Sequence, residues 1–142
     1  MQAKIWLLCG ALLGGSAIGL GAYRAHGLET RLRAEAHSDS EVTAIPNRLT
    51  DCETAVRYQM FQAVALLCIG LLAERGSTCC LTGAGICFLL GTILFAGPLY
   101  LLSLFDLHLH WAIIPAGGAV MIAGWVMLAV AALKRKPPGS AL

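Results

Sequence analysis

The sequence predicts an all-α membrane protein in which four transmembrane helices form an antiparallel bundle. Three observations support this fold class. Hydrophobic residues make up 58% of the 142-residue chain and charged residues only 13%, about half the charged fraction that is typical of soluble domains. The apolar residues are concentrated in stretches long enough to cross a bilayer, and polar segments separate most of these stretches. We therefore expect residues 1–142 to form a single membrane domain.

The first predicted span covers about residues 5–24. No charged residue occurs between Ile5 and Ala22, and this run is close to the roughly 20 residues that a helix needs to cross the hydrocarbon core. Residues 25–50 then carry charges of both signs and include Pro46. This segment is therefore predicted to be a polar extramembrane loop, with a helical stretch at most near its beginning.

The second predicted span covers about residues 52–73. Thr50 and Glu53 have the spacing of a capping box, in which each side chain accepts a hydrogen bond from the backbone amide of the other residue. A helix is therefore expected to begin at Thr50. The short break Glu74-Arg75-Gly76 follows this span and makes the second and third spans antiparallel neighbours.

The third and fourth spans are predicted at about residues 79–104 and 112–133. Pro98 lacks the backbone amide that would bond to Leu94, so a kink or an early helix end is expected there. Pro115 is tolerable in the first turn of the fourth span because the first amides of a helix have no partner within it.

An even number of spans places both termini on the same side of the membrane. Lys4, Arg75 and the cluster Lys134-Arg135-Lys136 lie on that side and five arginines on the other, so the raw count of basic residues is equal. The cluster is the densest group and lies close to a span end, where positive charges favour the cytoplasmic side. We therefore expect an integral membrane protein with cytoplasmic termini, located in the inner (plasma) membrane if the source is bacterial.

Small residues recur at intervals of four on two spans, and such residues allow membrane helices to pack closely. The three series are Gly10 and Gly14 in span one, Ala11, Gly15 and Gly19 in the same span, and Ala119 and Ala123 in span four. Two interpretations are open: the series pack within the bundle, or they contact a second copy of the chain.

Polar and aromatic side chains of spans one, two and three form a candidate polar cluster. Its members are Arg24, His26, Glu53, Arg57, Tyr58, Gln59, Gln62 and Tyr100. Glu53 and Arg57 are one helical turn apart, in the order that favours an ion pair. Ionisable residues at membrane depth often have a functional role, whereas an arginine at the interface also serves as an anchor. Anchoring, internal pairing, binding and conduction are the alternatives for this cluster.

No constellation in the sequence predicts an enzyme, and no catalytic, cofactor-binding or metal-ligating residues are assigned. The six cysteines include no Cys-x-x-Cys pair, and five of them lie in or beside apolar runs, where cysteine behaves as a small hydrophobic residue. Asp106, His108 and His110 alternate in one short turn, which is weak support for a metal site. The net charge of +2 argues against a nucleic-acid partner.

Four motifs resemble those of a known family of four-span membrane proteins. They are Gly19–Leu28, Glu53–Ala63, Leu94–Leu102 and Ile114–Gly118. The second is the most specific and is similar to Thr-Ala-Val-Arg-Tyr-Gln-Met-Tyr-His-Ala in the family, which includes the bacterial YgdD and YwdK proteins and eukaryotic transmembrane protein 256. Arg24 stands where the family usually has glycine, and Gln62 where it usually has histidine. The resemblance implies a four-helix membrane protein without an established biochemical activity.

The function expected from the sequence is that of a non-catalytic membrane protein, an accessory or assembly subunit of a membrane complex. Faces of small residues and few buried charges suit helix packing more than turnover. The alternative is a small transporter or channel in which the polar cluster lines a cavity between spans one, two and three. The expected partners are the lipid bilayer and either other membrane proteins or a second copy of the chain.

Overall fold

The computed structural model describes residues 2–134, and every regular element in that range is helical. In chain order the elements are α1 (Gln2–Tyr23), a π-helical turn (Arg24–Leu28), α2 (Glu29–Glu35), α3 (Asp39–Glu74), α4 (Cys79–Phe105) and α5 (Ile113–Leu133). Four continuous segments, Gln2–Glu35, α3, α4 and α5, are long and apolar enough to cross a membrane. The all-α fold class with four spans is therefore confirmed. Arg135 and Lys136 of the predicted basic cluster lie outside the described residues.

The membrane helices pack in chain order, with α1 against α3, α3 against α4, and α4 against α5. One buried cluster joins all of them through Trp6 of α1, Ile69 of α3, Phe88 of α4 and Ala131 of α5. Gly85 makes room for Trp6, since a Cβ atom at this glycine would lie 2.8 Å from the indole ring. The most apolar stretch of each span differs in how much of it is buried inside the bundle. The buried share is 44% in α3 and 39% in α4, but only 17% in the first and in the last span. Much of α1 and α5 therefore faces outward.

The polar segment 25–50 is helical, and the prediction of a loop was wrong. The first helix continues through the π-helical turn into α2, and α3 begins at Asp39 after a break at residues 36–38. Ser38 caps α3: its Oγ accepts a hydrogen bond from the Glu41 amide at 3.3 Å, while the Glu41 carboxylate accepts one from the Ser38 amide at 3.2 Å. The capping box that starts this helix therefore lies twelve positions before the predicted one at Thr50.

Thr50 lies inside α3, so the predicted helix start at this residue was also wrong. Its Oγ1 donates a hydrogen bond to the carbonyl oxygen of Pro46 at 2.9 Å instead of capping the helix. Pro46 itself lies within α3, and the helix continues on both sides of it. A proline in a helix removes one hydrogen bond, and packing elsewhere along the helix compensates for that loss.

A shared apolar core explains why this charged segment is helical. Leu28, Leu32, Ile45 and Cys52 are buried against one another. Within each helix these residues are four or seven positions apart, so they lie on one face. The 36 residues of α3 rise about 54 Å, more than the hydrocarbon thickness of about 30 Å, so its first part extends beyond the apolar layer. We refer to residues 24–51 as the polar hairpin.

α4 continues through Pro98 to Phe105, so the helix does not end early at the proline. Pro98 is buried, and packing of α4 against both α3 and α5 holds the helix together on either side of it. Asp106 ends α4 in the left-handed conformation, with φ of 57°. The predicted break after Glu74 and the position of Pro115 in the first turn of the last span are confirmed.

The two small-residue series of the first span have different environments. A Cβ atom added at Gly10 would lie 2.9 Å from the carbonyl oxygen of Ala63, and one at Gly14 would lie 3.7 Å from the Ala63 Cβ, so this series packs against α3. A Cβ atom at Gly15 or Gly19 would meet no atom within 4 Å. The first series therefore packs within the bundle and the second faces outward.

Candidate functional site

An ionic network links the π-helical turn after α1 to the middle of α3. Arg24 Nη2 donates a hydrogen bond to Glu53 Oε2 at 2.8 Å, and Arg57 Nη2 donates one to Glu53 Oε1 at 3.0 Å. Arg24 Nε also approaches the carbonyl oxygen of Leu49 at 3.5 Å. The side chains of all three charged residues are partly exposed. One carboxylate therefore bridges two guanidinium groups from different helices.

The chain places these arginines at the same depth. Arg24 directly follows the uncharged run that ends at Tyr23, and Arg57 directly precedes the uncharged run from Tyr58 to Ala73. Because α1 and α3 are antiparallel, the end of the first run and the beginning of the second lie at the same edge of the apolar layer. The π-helical turn begins at Arg24, and such turns are common at functional sites.

A second polar contact joins α1 and α3 one to two turns deeper in the bundle. Gln59 Nε2 donates to the carbonyl oxygen of Leu13 at 2.9 Å and to Ser16 Oγ at 2.8 Å. Ser16 Oγ in turn donates to the same Leu13 oxygen at 3.0 Å. Gln59 is buried, and its amide is paired across the helix interface. This geometry indicates a structural link between the two helices.

Gln62 and Tyr100 are the other buried polar groups of the predicted cluster. Gln62 is only 2% exposed, and its Oε1 has no hydrogen-bond partner among residues 2–134. The Tyr100 hydroxyl is also buried without a partner in that range. Tyr100 packs against the apolar cluster formed by Leu28, Leu32, Ile45 and Cys52. Among residues 2–134, neither side chain makes a hydrogen bond or ion pair with the ionic network.

Tyr58 and His26 also lie apart from the ionic network. The Tyr58 ring packs against Phe95 of α4, with 4.8 Å between ring centroids, and adjacent residues of a helix such as Arg57 and Tyr58 point to different faces. The side chain of His26 is exposed. The structure thus divides the predicted cluster into an ionic network, an amide link and separate buried or exposed side chains.

Two cavities of about 270 and 400 Å³ lie at the polar hairpin, and both involve Glu41, Arg48 and Asp106. Arg48 is not a member of the cluster predicted from the sequence. Its Nε donates a hydrogen bond to the carbonyl oxygen of the buried residue Ser103 at 3.1 Å. This bond ties the hairpin to the end of α4. No local signal in the sequence predicts it, because the two residues are 55 positions apart.

Glu41 is the carboxylate of the cap at the beginning of α3. The His37 amide donates a hydrogen bond to Glu41 Oε2 at 2.6 Å, and this bond lowers the carboxyl pKa of Glu41 below its ordinary value. A carboxylate that accepts backbone amides is favoured in its charged form. The ionised side chain therefore completes the helix start.

The turn between α4 and α5 contains Asp106, His108 and His110. His108 Nδ1 lies 3.9 Å from Asp106 Oδ1, whereas His110 Nδ1 accepts a hydrogen bond from the Ala112 amide at 3.3 Å. The ring of His110 is thus used in a backbone contact at the start of α5. In the described part of the chain, no group of three or more His, Cys, Asp or Glu side chains has the geometry to hold a metal ion.

Comparison with known proteins identifies similar membrane proteins. The family profile described as "Protein of unknown function (DUF423)" matches residues 20–118. The UPF0382 membrane protein SH2409 of Staphylococcus haemolyticus is 36% identical over 92% of this chain and 97% of its own length, and YwdK of Bacillus subtilis is 36% identical over 92% and 98%. The inner membrane protein YgdD of Escherichia coli is 29% identical over 98% and 97%. No solved structure matches the chain.

Proposed function

Since this chain belongs to the DUF423 family of membrane proteins, whose biochemical function is not established, we propose that it is a non-catalytic accessory subunit that assembles laterally with another membrane protein. Its partner in this proposal is a transmembrane helix that docks on the outward face of α1. The observation that carries the proposal is the second small-residue series of that helix.

Ala11, Gly15 and Gly19 recur every four residues on the outward face of α1, and all three are exposed. Nothing in the described part of the chain lies within 4 Å of a Cβ atom placed at either glycine. Helix association in lipid depends on close backbone approach at small residues, because the apolar surfaces of helices and lipid tails are equally apolar. Leu8 and Leu12 flank the series and are also exposed, so the face offers a groove beside large side chains.

The arrangement of polar groups does not favour the transporter or channel alternative. The side chains that would line a pathway are paired between the first helical segment and α3, buried separately, or exposed. The two cavities lie at the polar hairpin, toward the end of the bundle. Conduction requires a continuous polar path through the apolar layer.

We also infer a bacterial plasma-membrane location with cytoplasmic termini. The inner-membrane name of the Escherichia coli relative supports the location. Lys4, Arg75 and Lys134 lie at the terminal side of the four spans, where positively charged residues favour the cytoplasm. The polar hairpin would then face the opposite side of the membrane.

Substitution of the open groove tests the proposed assembly. Tagged wild type and Gly15→Val, which fills the groove, would be extracted in a mild detergent after crosslinking and compared by native electrophoresis and mass spectrometry of the crosslinked partners. Wild type is expected to migrate as a larger complex. The amount of crosslinked partner is expected to be about tenfold lower for Gly15→Val if the added side chain removes about 1.4 kcal/mol of association free energy.

Ala129→Val is the matched control, because Ala129 is also exposed but lies on α5. This variant is expected to keep the complex. A chain that runs alone at every expression level, or a complex that survives Gly15→Val unchanged, would contradict the proposal. A complex that contains only copies of this chain would replace the accessory role with self-association.

A further inference from the structure

We propose that Arg24 and Arg57 form a binding site for a phosphate group at the membrane interface, and that an anionic phospholipid headgroup is its main source. The inference is independent of the proposed partner helix. It rests on the geometry of the ionic network, its charge balance and its depth.

The two guanidinium groups are held by one carboxylate and are otherwise largely available. Each arginine uses one Nη2 group on a different oxygen of Glu53, and Arg24 adds one longer contact from Nε to the Leu49 carbonyl oxygen. A guanidinium group has several further N–H donors in a planar fork, which matches phosphate oxygens. Because Glu53 orients both groups, little additional ordering is needed when an anion binds.

The network has an excess of positive charge. It contains two arginines and one glutamate, whereas the neighbouring arginines of α2 each have a carboxylate of their own: Arg31 pairs with Glu35, and Arg33 with Glu29. The side chain of Arg57 is 61% exposed, which leaves it accessible to a ligand from the membrane side. An anion would therefore balance a charge that the protein itself leaves unpaired.

The depth of the site favours a lipid over a dissolved ion. Arg57 lies immediately before the uncharged run of α3. Phe61 and Val64 follow it at helical intervals of four and three residues, and both are exposed. A headgroup phosphate at Arg57 would thus place its acyl chains along Phe61 and Val64. Inorganic phosphate offers the same oxygens without the acyl chains, so the two sources can be separated by experiment.

Native mass spectrometry of the full chain, released from nanodiscs, measures which lipid stays bound. The nanodiscs contain phosphatidylcholine alone, or phosphatidylcholine and phosphatidylglycerol in equal parts. Wild type is expected to retain phosphatidylglycerol in preference to phosphatidylcholine. Arg57→Gln should weaken that retention about fivefold, the effect of one arginine near an anionic surface. This variant keeps the pair between Arg24 and Glu53, so the network is not dismantled.

Two further variants make the test specific. Arg33→Gln removes an equally charged arginine that lies outside the network, and it should retain phosphatidylglycerol as wild type does. Glu53→Gln removes the competing negative charge and should increase retention of phosphatidylglycerol, whereas a purely structural ion pair predicts no change in lipid preference. Inorganic phosphate is also titrated into phosphatidylcholine nanodiscs that contain the protein, and the thermal unfolding midpoint is measured. A rise in this midpoint shows that a free anion binds without acyl chains.

A stabilising effect of phosphate that is lost in Arg57→Gln would support the site with a soluble ligand as its source. Preference for phosphatidylglycerol without an effect of phosphate would support the lipid. The proposal is overturned if Arg57→Gln retains as much phosphatidylglycerol as wild type, if Arg33→Gln loses as much as Arg57→Gln, or if neither anion binds in preference.

Discussion

The amide nitrogen of Gln59 in α3 lies 2.8 Å from the hydroxyl oxygen of Ser16 in α1 and donates a hydrogen bond to it. The same nitrogen bonds to the Leu13 carbonyl oxygen at 2.9 Å. The pair therefore joins the two helices through a polar contact in an otherwise apolar interface. Its contribution can be compared with that of Gln62, a second buried glutamine on the same helix whose Oε1 has no partner in the described residues.

Gln59→Leu is expected to destabilise the bundle by about 1 kcal/mol, since interhelical hydrogen bonds in membranes contribute about 0.6 kcal/mol on average and up to about 1.7. Gln62→Leu, the matched control, should be neutral or stabilising, because it replaces a buried carbonyl oxygen that is unpaired. Unfolding by SDS in mixed micelles, followed by circular dichroism, measures both. Equal losses in the two variants would contradict the assignment of Gln59 as the helix link.

The cap of α3 provides a second prediction. Ser38→Ala should cost about 1 kcal/mol of local helix stability, because Ser38 Oγ accepts a hydrogen bond from the Glu41 amide. Thr50→Ala should change stability by less than about 0.5 kcal/mol, since Thr50 lies within the helix and not at its start. Hydrogen exchange of the first turns of α3 distinguishes the two variants. Faster exchange in Thr50→Ala than in Ser38→Ala would restore the helix start predicted from the sequence.

The pH dependence of this cap follows from Glu41. The His37 amide lowers the carboxyl pKa of Glu41 in the folded chain, so the contribution of this residue to stability is present above the unfolded pKa of about 4.3. That contribution is lost as the pH falls through the lower folded value. We expect Glu41→Gln to remove the acid-dependent part of the exchange at the start of α3. An identical pH dependence in wild type and Glu41→Gln would contradict this.

Close contact between α4 and α5 gives a third comparison. A Cβ atom at Gly117 would lie 2.6 Å from the Phe95 backbone nitrogen and 2.7 Å from the Leu94 carbonyl carbon, so the two helices would have to separate. Gly117→Ala is therefore expected to cost about 1–3 kcal/mol. Gly15→Ala meets no atom within 4 Å and should be neutral or stabilise the helix by up to about 1 kcal/mol. Thermal unfolding in nanodiscs compares them, and a stable Gly117→Ala would contradict the observed contact.

Labelling with a membrane-impermeant maleimide tests the inferred orientation. Cys79 is exposed beside the turn on the terminal side of the bundle, whereas Asn47 is exposed on the polar hairpin. With cytoplasmic termini, intact bacterial cells expressing wild type should label weakly and those expressing Asn47→Cys strongly. Permeabilised cells should label Cys79 as well. Strong labelling of wild type in intact cells would place the termini on the outer side.

The segment 25–50 shows where prediction from the sequence is limited. Its charges and Pro46 are typical of a loop, and the capping box at Thr50 has the same spacing as the one formed by Ser38 and Glu41. Packing of Leu28 and Leu32 against Ile45 and Cys52, which are distant in the chain, stabilises the helical form of this segment. Local patterns predict a cap wherever the residue types match, but tertiary contacts select the cap that forms.

The candidate polar cluster was predicted in part. The meeting of Arg24 with Glu53 and Arg57 could be expected, because antiparallel helices bring the end of one run to the start of the next. Tyr58 and Gln62 could not be assigned to faces in the same way. Their directions depend on how α3 is rotated toward α1 and α4, and a chain with apolar residues on all sides of a helix does not encode that rotation locally.

The sequence by itself determined the membrane class, the four spans and the breaks after Glu74 and Phe105, because backbone groups in hydrocarbon must form hydrogen bonds within each helix. Only the tertiary structure decided that Gly10 packs against α3 while Gly15 remains open, although both belong to equally spaced series. The physical reason is that helix formation depends on residues close in the chain, whereas the face that each helix buries depends on the shapes of its neighbours.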